Sequence, residues 1–114
     1  MKIKLIVLRT SDLKKLAGFY ILLGFQLDHH QHGEGPFHYS ATIGDTVLEI
    51  YPLAKNQTEA DNYLRLGFQV DDFETVVKLL QENNYFFSTK PMQTAFGFMA
   101  VVQDPDGRKV ELYK

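Results

Sequence analysis

The chain has 114 residues, of which 45% are hydrophobic and 23% charged, a composition typical of one soluble globular domain. It contains no cysteine, which excludes disulfides, thiolate metal sites and cysteine nucleophiles and is typical of a reducing compartment. Twelve basic and 14 acidic residues give a net charge of -2, so we do not expect the basic surface of a nucleic-acid-binding domain. No apolar run is long enough for a membrane span or a signal peptide, and we expect a cytoplasmic protein.

The first half of the chain predicts a strand, a helix and three further strands. Residues 3–9 are aliphatic and β-branched, which is typical of a strand, and Ser11 or Asp12 is placed to cap the helix that follows. Apolar residues recur at helical spacing over residues 13–22, and Gly24 suits the left-handed end of that helix. The remaining strands of this half are predicted at residues 25–30, 37–43 and 46–51.

The second half repeats this pattern. Residues 8–13 resemble residues 68–73, sixty positions later, and each segment follows a strand-like run and precedes a helix-like one. Asp71 or Asp72 is placed to cap the second helix. That helix has apolar positions at Phe73, Val76, Val77 and Leu80. The strands of this half are predicted at residues 64–70, 85–88, 95–103 and 109–114, with a turn at residues 104–107. We therefore predict one domain of two modules, at about residues 1–53 and 62–114, joined by a polar linker at about 54–61.

Alternation along the strands assigns polar residues to one face of each predicted sheet. A two-residue turn at residues 44–45 sets the register, so that Ser40 opposes Glu49 and His38 opposes Tyr51. The same rule, applied to both halves, predicts two polar faces that close around a shared cavity. The candidate ligand-binding residues on these faces are Arg9, His38, Glu49, Tyr51, Arg65, Gln69, Phe98, Glu111 and Tyr113.

Two motifs resemble those of the vicinal oxygen chelate superfamily, which comprises glyoxalases, bleomycin resistance proteins and extradiol dioxygenases. The first is residues 8–13, followed by Phe19-Tyr20 and Leu23-Gly24-Phe25, and the second is residues 104–112. The resemblance covers essentially the whole chain. It implies an α+β fold in which two βαβββ modules form a curved mixed sheet around a cavity, and it implies a homodimer.

The resemblance also implies where a metal would bind, because metal-using members take ligands from the first and last strands of each module. These positions fall here on Leu5, Glu49, Arg65 and Glu111. Leucine has no donor atom and arginine is permanently cationic, so two of the four ligands are absent. Because two ligands are absent, we expect no metal at these positions, with Arg65 balancing the two carboxylates instead. We therefore do not expect glyoxalase or dioxygenase chemistry, which needs a divalent cation.

We accordingly expect a metal-independent protein that binds a small molecule, as the drug-sequestering members of the superfamily do, with no nucleic-acid or membrane partner. The alternative is a metal-dependent lyase, isomerase or dioxygenase-like enzyme with a non-standard site around His38, Glu49 and Glu111. A dimeric interaction module with a vestigial cavity is the third hypothesis. Addition of a divalent metal distinguishes the first two, since only the enzyme needs it.

Three more histidines lie close together in the sequence, at positions 29, 30 and 32. Successive side chains on a strand point to opposite faces, so His29 and His30 cannot both face one ion. The segment also leads into a glycine-rich turn at residues 33–36. We therefore interpret these histidines as part of a solvated turn.

Overall fold

Two four-stranded sheets, each with one helix, make up the protein in a computed structural model that describes residues 1–114. The chain divides into two units, the first comprising Met1–Ile21 and Phe25–Ala60 and the second Leu22–Gly24 and Asp61–Lys114. Neither helix has the length and hydropathy of a membrane-spanning segment.

The first unit contains five regular elements. They are β1 (Leu5–Thr10), α1 (Leu13–Leu22), β2 (Asp28–His30), β3 (His38–Ile43) and β4 (Thr46–Pro52). The strand order is β1-β4-β3-β2, with β1 parallel to β4 and the other neighbours antiparallel. The helix thus forms the crossover connection that a parallel pair requires.

The second unit repeats this topology. Its elements are β5 (Leu66–Gln69), α2 (Phe73–Glu82), β6 (Phe87–Thr94), β7 (Gly97–Gln103) and β8 (Lys109–Tyr113). The strand order is β5-β8-β7-β6, and β5 is parallel to β8. The predicted α+β fold of two βαβββ modules is confirmed.

The two helices begin and end sixty residues apart, as the sequence repeat predicts. The side chain of Asp12 accepts a hydrogen bond of 3.1 Å from the amide three residues on, and Asp72 accepts the equivalent bond of 3.3 Å. At the other end, Gly24 has a φ of 108° and Asn84 a φ of 63°. Of the two capping residues offered in each half, the second is therefore the one used, and Gly24 ends α1 in the left-handed region.

Burial alternates along β1, β4 and β8 and separates each sheet into two faces, although residues 99–102 of β7 are all buried. In the first sheet Leu8, Leu48 and Ile50 are at most 1% exposed, whereas their neighbours on β1 and β4 are partly or fully exposed. The buried aliphatic residues of the second sheet include Ala100, Val102, Val110 and Leu112. The helices add the residues that complete each core, which are Leu16, Ala17, Phe19 and Tyr20 from α1 and Phe73, Val76, Val77 and Leu80 from α2.

Several features differ from the sequence predictions. Strands β2, β5 and β7 are shorter than predicted and begin at Asp28, Leu66 and Gly97. Strand β6 runs for eight residues rather than four, and it tolerates Pro91 because it is an edge strand with register shifts between residues 87 and 92. Phe37, which strand alternation assigns to the core, is 53% exposed and stacks on His29 at a ring distance of 5.2 Å. It precedes β3, so the alternation of that strand does not extend to it.

The turn between β7 and β8 is organised by a buried aspartate. The carboxylate of Asp104 accepts hydrogen bonds from the amides of Asp106 at 2.8 Å and Arg108 at 3.0 Å, and its second oxygen lies 3.2 Å from the Arg108 guanidinium. Burial raises the pKa of Asp104, while Arg108 and the two amides oppose that rise. These contacts define a connection of five residues between the pair formed by Gln103 and Lys109.

Candidate functional site

The register of the β3–β4 hairpin is the predicted one, and it brings four predicted site residues to one face. Ile43 pairs with Thr46 and Ser40 pairs with Glu49. Because paired residues share a face, the first sheet has a polar face on the side away from its buried aliphatic residues. This first polar face carries Arg9, His30, His38, Ser40, Glu49 and Tyr51.

A row of rings crosses the first polar face from β1 to β2. The guanidinium carbon of Arg9 lies 5.3 Å from the centre of the Tyr51 ring, which is a cation–π distance. The Tyr51 ring is stacked on His38 at 4.3 Å with 11° between the planes, and His38 lies 4.3 Å from His30. The row is therefore a packed stack with the Arg9 cation at one end.

His38 is the buried member of this row, with 1% of its surface exposed. Its Nδ1 lies 3.2 Å from the carbonyl oxygen of Pro36, and a carbonyl can only accept, so Nδ1 carries the proton when this bond forms. The lone pair of the neutral ring is then on Nε2. That nitrogen lies 3.5 Å from the Tyr51 hydroxyl and 3.5 Å from Oε2 of Glu49.

The structure also gathers histidines that the sequence analysis interpreted as a solvated turn. Nitrogen atoms of His30, His32 and His38 all lie within 4.8 Å of one another. His30 is half-buried and its Nε2 lies 2.9 Å from Oγ of Ser40, so the interpretation is wrong for this residue. It holds for the exposed His32, and His29 does point to the opposite face, where its ring packs on Tyr39.

Whether His30 and His38 share a face depends on the number of residues that connect β2 and β3. In an antiparallel pair joined by an odd number of residues, even-numbered positions of one strand oppose even-numbered positions of the other. Strands β2 and β3 pair in this way, with His30 opposite His38. The connection between them is longer than the turn at residues 33–36, and its length was not readable from the turn residues alone.

In the second unit, three predicted site residues form one network. Nε of Arg65 donates to Oε2 of Glu111 at 2.5 Å, and the Tyr113 hydroxyl donates to Oε1 at 2.5 Å. The hydrogen bond from Tyr113, and to a lesser extent Arg65, lowers the pKa of Glu111. The same bond raises the pKa of Tyr113. Gln69 pairs with Tyr113 and shares this second polar face, with an exposed side chain.

Phe98 lies on the opposite face of the second sheet, so its predicted position is wrong. Met99, not Phe98, pairs with Tyr113, and the Phe98 ring lies 5.6 Å from Phe73 of α2. The reason is the five-residue connection at Asp104, since an odd number places odd-numbered residues of β7 opposite Glu111 and Tyr113. The turn residues alone did not determine that number.

The side chains at the chelate positions implied by the resemblance do not fit a divalent ion. In the first unit, Leu5 has no donor atom and is 54% exposed, which leaves Glu49 without a first-strand partner ligand. In the second unit, both oxygens of Glu111 accept hydrogen bonds, one of them from the cation Arg65. A divalent ion at Glu111 would have to displace these bonds and face a guanidinium.

Comparisons with known proteins agree with this fold. The sequence profile of the Glyoxalase/Bleomycin resistance protein/Dioxygenase superfamily matches residues 2–112. The structure of TnmS3, an antibiotic binding protein from Streptomyces sp. CB03234, superposes with a TM-score of 0.77 at 29% identity, over 99% of this chain and 94% of that one. A glyoxalase/bleomycin resistance protein from the same Streptomyces strain gives a TM-score of 0.74 at 29% identity, over 99% and 100% of the two chains.

A third structure, the oxidase ChaP-H2, gives a TM-score of 0.77 at 19% identity, over 98% of this chain and 91% of that one. At this identity the likeness is one of fold alone. Among curated proteins, the search finds no match. Relatives of this fold therefore include a binding protein and an oxidase, and the choice between such functions rests on the site residues.

Proposed function

Because the chain belongs to the Glyoxalase/Bleomycin resistance protein/Dioxygenase superfamily, we propose that it binds a small organic molecule without a metal ion at the superfamily's chelate positions. The observation that carries this proposal is the bonding of Glu111. Its carboxylate is bonded to Arg65 and Tyr113, and an arginine cation in the place of a ligand neutralises the charge that a metal would otherwise balance.

The ligand chemistry follows from the first polar face. Tyr51 is partly exposed, and the edge of its ring can contact the face of an aromatic molecule, while the buried His38 packs behind it. Arg9 beside them supplies a cation that suits a carboxylate or phosphate group. We therefore propose a planar aromatic ligand with an anionic group. The proposed contacts in the first unit are the partly exposed Arg9, Glu49 and Tyr51, with the buried His38 behind the Tyr51 ring. Arg65, Gln69, Glu111 and Tyr113 stay candidate contacts of the second polar face, taken by itself.

The likeness to TnmS3 supports a binding function over a catalytic one. That protein is an antibiotic binding protein, and it is 29% identical to this chain over almost the full length of both. At this level of identity the class of function is a reasonable inference, whereas the identity of the ligand depends on the side chains of each site. The proposal accordingly names a chemical class of ligand rather than an antibiotic.

The test is ligand binding to metal-stripped protein. Planar aromatic acids such as 2-naphthoate, and uncharged analogues such as 2-naphthylmethanol, are titrated in the presence and absence of EDTA. We expect the acids to bind more tightly than the analogues, and EDTA to leave their affinity unchanged. Tyr51→Ala should weaken binding roughly tenfold because an aromatic contact with the ligand is lost.

Tyr63→Ala is the matched control, since Tyr63 is 93% exposed and lies outside the polar faces, and it should bind like the wild type. Loss of binding in EDTA would contradict the proposal. So would an equal loss in both tyrosine variants. Chemical conversion of the probe would instead support the alternative enzyme, for which the 3.5 Å approach of His38 Nε2 to Glu49 provides a candidate base.

We also propose that the protein is a homodimer, as the superfamily fold implies. Several large apolar side chains are exposed on the single chain, among them Ile21, Phe86, Met92 and Phe96. Exposed apolar surface of this kind is common at subunit interfaces. A cytoplasmic location stays a prediction from composition.

A further inference from the structure

We infer that His30, His32 and His38 form a binding site for a divalent transition-metal ion. The site lies within the first unit and uses none of the chelate positions at Leu5, Glu49, Arg65 and Glu111 as its three primary ligands. It goes beyond the proposed ligand-binding function and does not depend on it. All three histidines lie in one sheet or in the loop that joins two of its strands.

The rings of the three histidines lie close to one another. Strand pairing holds His30 opposite His38, with ring centres 4.3 Å apart, and His32 lies 4.7 Å from His30 and 5.0 Å from His38. Zinc–nitrogen bonds of about 2.0–2.1 Å place two ligand nitrogens of a tetrahedral site about 3.3 Å apart. The histidine nitrogens, which lie within 4.8 Å of one another, must therefore move somewhat closer together to bind one ion. His32 can move in this way, because it is exposed and lies in the β2–β3 loop.

Two of the three histidine rings also contact a neighbouring oxygen that can orient them. A metal-bound histidine commonly donates its other N–H to a carbonyl or hydroxyl, which fixes the ring and its tautomer. His38 has this arrangement, with Nδ1 3.2 Å from the Pro36 carbonyl and Nε2 left with the lone pair. Nε2 of His30 lies 2.9 Å from Oγ of Ser40, and in the tautomer that donates this bond the lone pair is on Nδ1. Two of the three rings are thus oriented by second partners.

The charges near the three histidines also suit a cation. Oε2 of Glu49 lies 3.5 Å from Nε2 of His38, so a carboxylate lies beside the three imidazoles and can balance the charge of a dication. The cation on this face, Arg9, is separated from His38 by the ring of Tyr51. The environment therefore favours a divalent ion more than the second polar face does, where Arg65 contacts the carboxylate directly.

Imidazole nitrogens suit Zn²⁺, Cu²⁺ and Ni²⁺ rather than Mg²⁺ or Ca²⁺, which prefer oxygen ligands. The test uses untagged protein that has been treated with a chelator and then dialysed. We expect one equivalent of Zn²⁺ to bind in calorimetry. Exposed His32 is the residue to replace, since His38 is buried and its variant is at risk of misfolding. His32→Ala should weaken Zn²⁺ binding at least tenfold.

His29→Ala is the matched control, because His29 is adjacent in sequence but points to the opposite face of the sheet. It should bind Zn²⁺ like the wild type. Ser40→Ala, which removes the partner of His30, should weaken binding about tenfold while leaving the ligands in place. Cu²⁺ should show hyperfine coupling to imidazole nitrogen in its EPR spectrum, and His32→Ala should reduce that coupling.

Three results would overturn the inference. The first is less than one equivalent of Zn²⁺ bound by the wild type. The second is equal loss of binding in His29→Ala and His32→Ala, which would indicate non-specific surface binding. The third is a Cu²⁺ spectrum without imidazole nitrogen coupling. None of these results changes the expected binding of an aromatic acid in EDTA, so failure of the metal site and failure of the proposed function are distinguishable.

Discussion

At the scale of single residues, the two glutamates at the chelate positions that the resemblance implies have different surroundings in the two units. Glu49 lies 3.5 Å from a buried histidine. Glu111 is bonded to an arginine and a tyrosine at 2.5 Å each. The sequence identified both carboxylates, and it offered Arg65 as a partner for either of them. Only the contacts assign Arg65 to Glu111 and add Tyr113 to the network.

This network predicts a pH dependence that Glu111→Gln removes. The pKa of Glu111 is lowered from 4.5, mainly by Tyr113, so its ionised form stabilises the folded state. A carboxyl group whose pKa is lowered on folding stabilises the folded state above pH 4.5. This stabilisation is lost as the pH falls through the pKa of the folded state. At neutral pH the wild type should be more stable than Glu111→Gln. The difference in unfolding free energy should be less than about 1 kcal/mol, because solvent screens the half-exposed Arg65.

Urea unfolding at neutral pH and at successively lower pH values measures this difference, which should shrink as the pH falls below 4.5. Glu59→Gln at an exposed position is the control and should show no such trend. A difference between wild type and Glu111→Gln that stays constant into the acid range would mean that the carboxylate charge is not responsible.

At the scale of elements, the sixty-residue repeat extends to the ends of both helices. The backbone carbonyl oxygens of Tyr20 and Leu80 each accept a hydrogen bond from the backbone amide five residues later in the chain. The residue before that amide has a positive φ in both halves, and it is Gly24 in one and Asn84 in the other. These two residue types are the ones that adopt left-handed backbone at the lowest energetic cost, which explains why two different residues give one helix end.

Two alanine substitutions in the first helix region should therefore have opposite effects. Gly24→Ala forces a side chain into a φ of 108°, although no atom lies within 4 Å of the new Cβ, and we expect a loss of about 1–2 kcal/mol in unfolding free energy. Gly18→Ala, within α1 and also without a contact inside 4 Å, should gain about 0.5–1 kcal/mol because alanine favours helix. Thermal or urea unfolding of the two variants measures both changes. A loss of stability in both would indicate crowding rather than backbone strain.

At the scale of the whole molecule, the two units share one topology but carry different chemistry. The first polar face is rich in histidine and aromatic rings, and the second carries an arginine–glutamate–tyrosine network beside buried Met99 and Val101. The duplicated fold therefore has not kept a duplicated site. This divergence is consistent with a superfamily in which one scaffold supports several functions.

The proposed homodimer predicts a mass in solution of twice the chain mass of 13.1 kDa. Light scattering coupled to size exclusion measures it, at several concentrations of the untagged protein. The exposed Phe86 and Phe96 should become less accessible in such an assembly if they lie in the interface. A mass of one chain at every concentration would contradict the proposal and would leave these apolar residues unexplained.

Much of the fold was determined by the sequence alone, because it depends on local periodicity. Helix α1 was predicted at its observed bounds, and the β3–β4 register followed from a two-residue turn that admits one pairing. Only the tertiary structure decided the side of Phe98 and the gathering of His30 with His38. Both depend on how many residues a longer connection uses, and one residue more or fewer moves every side chain to the other face.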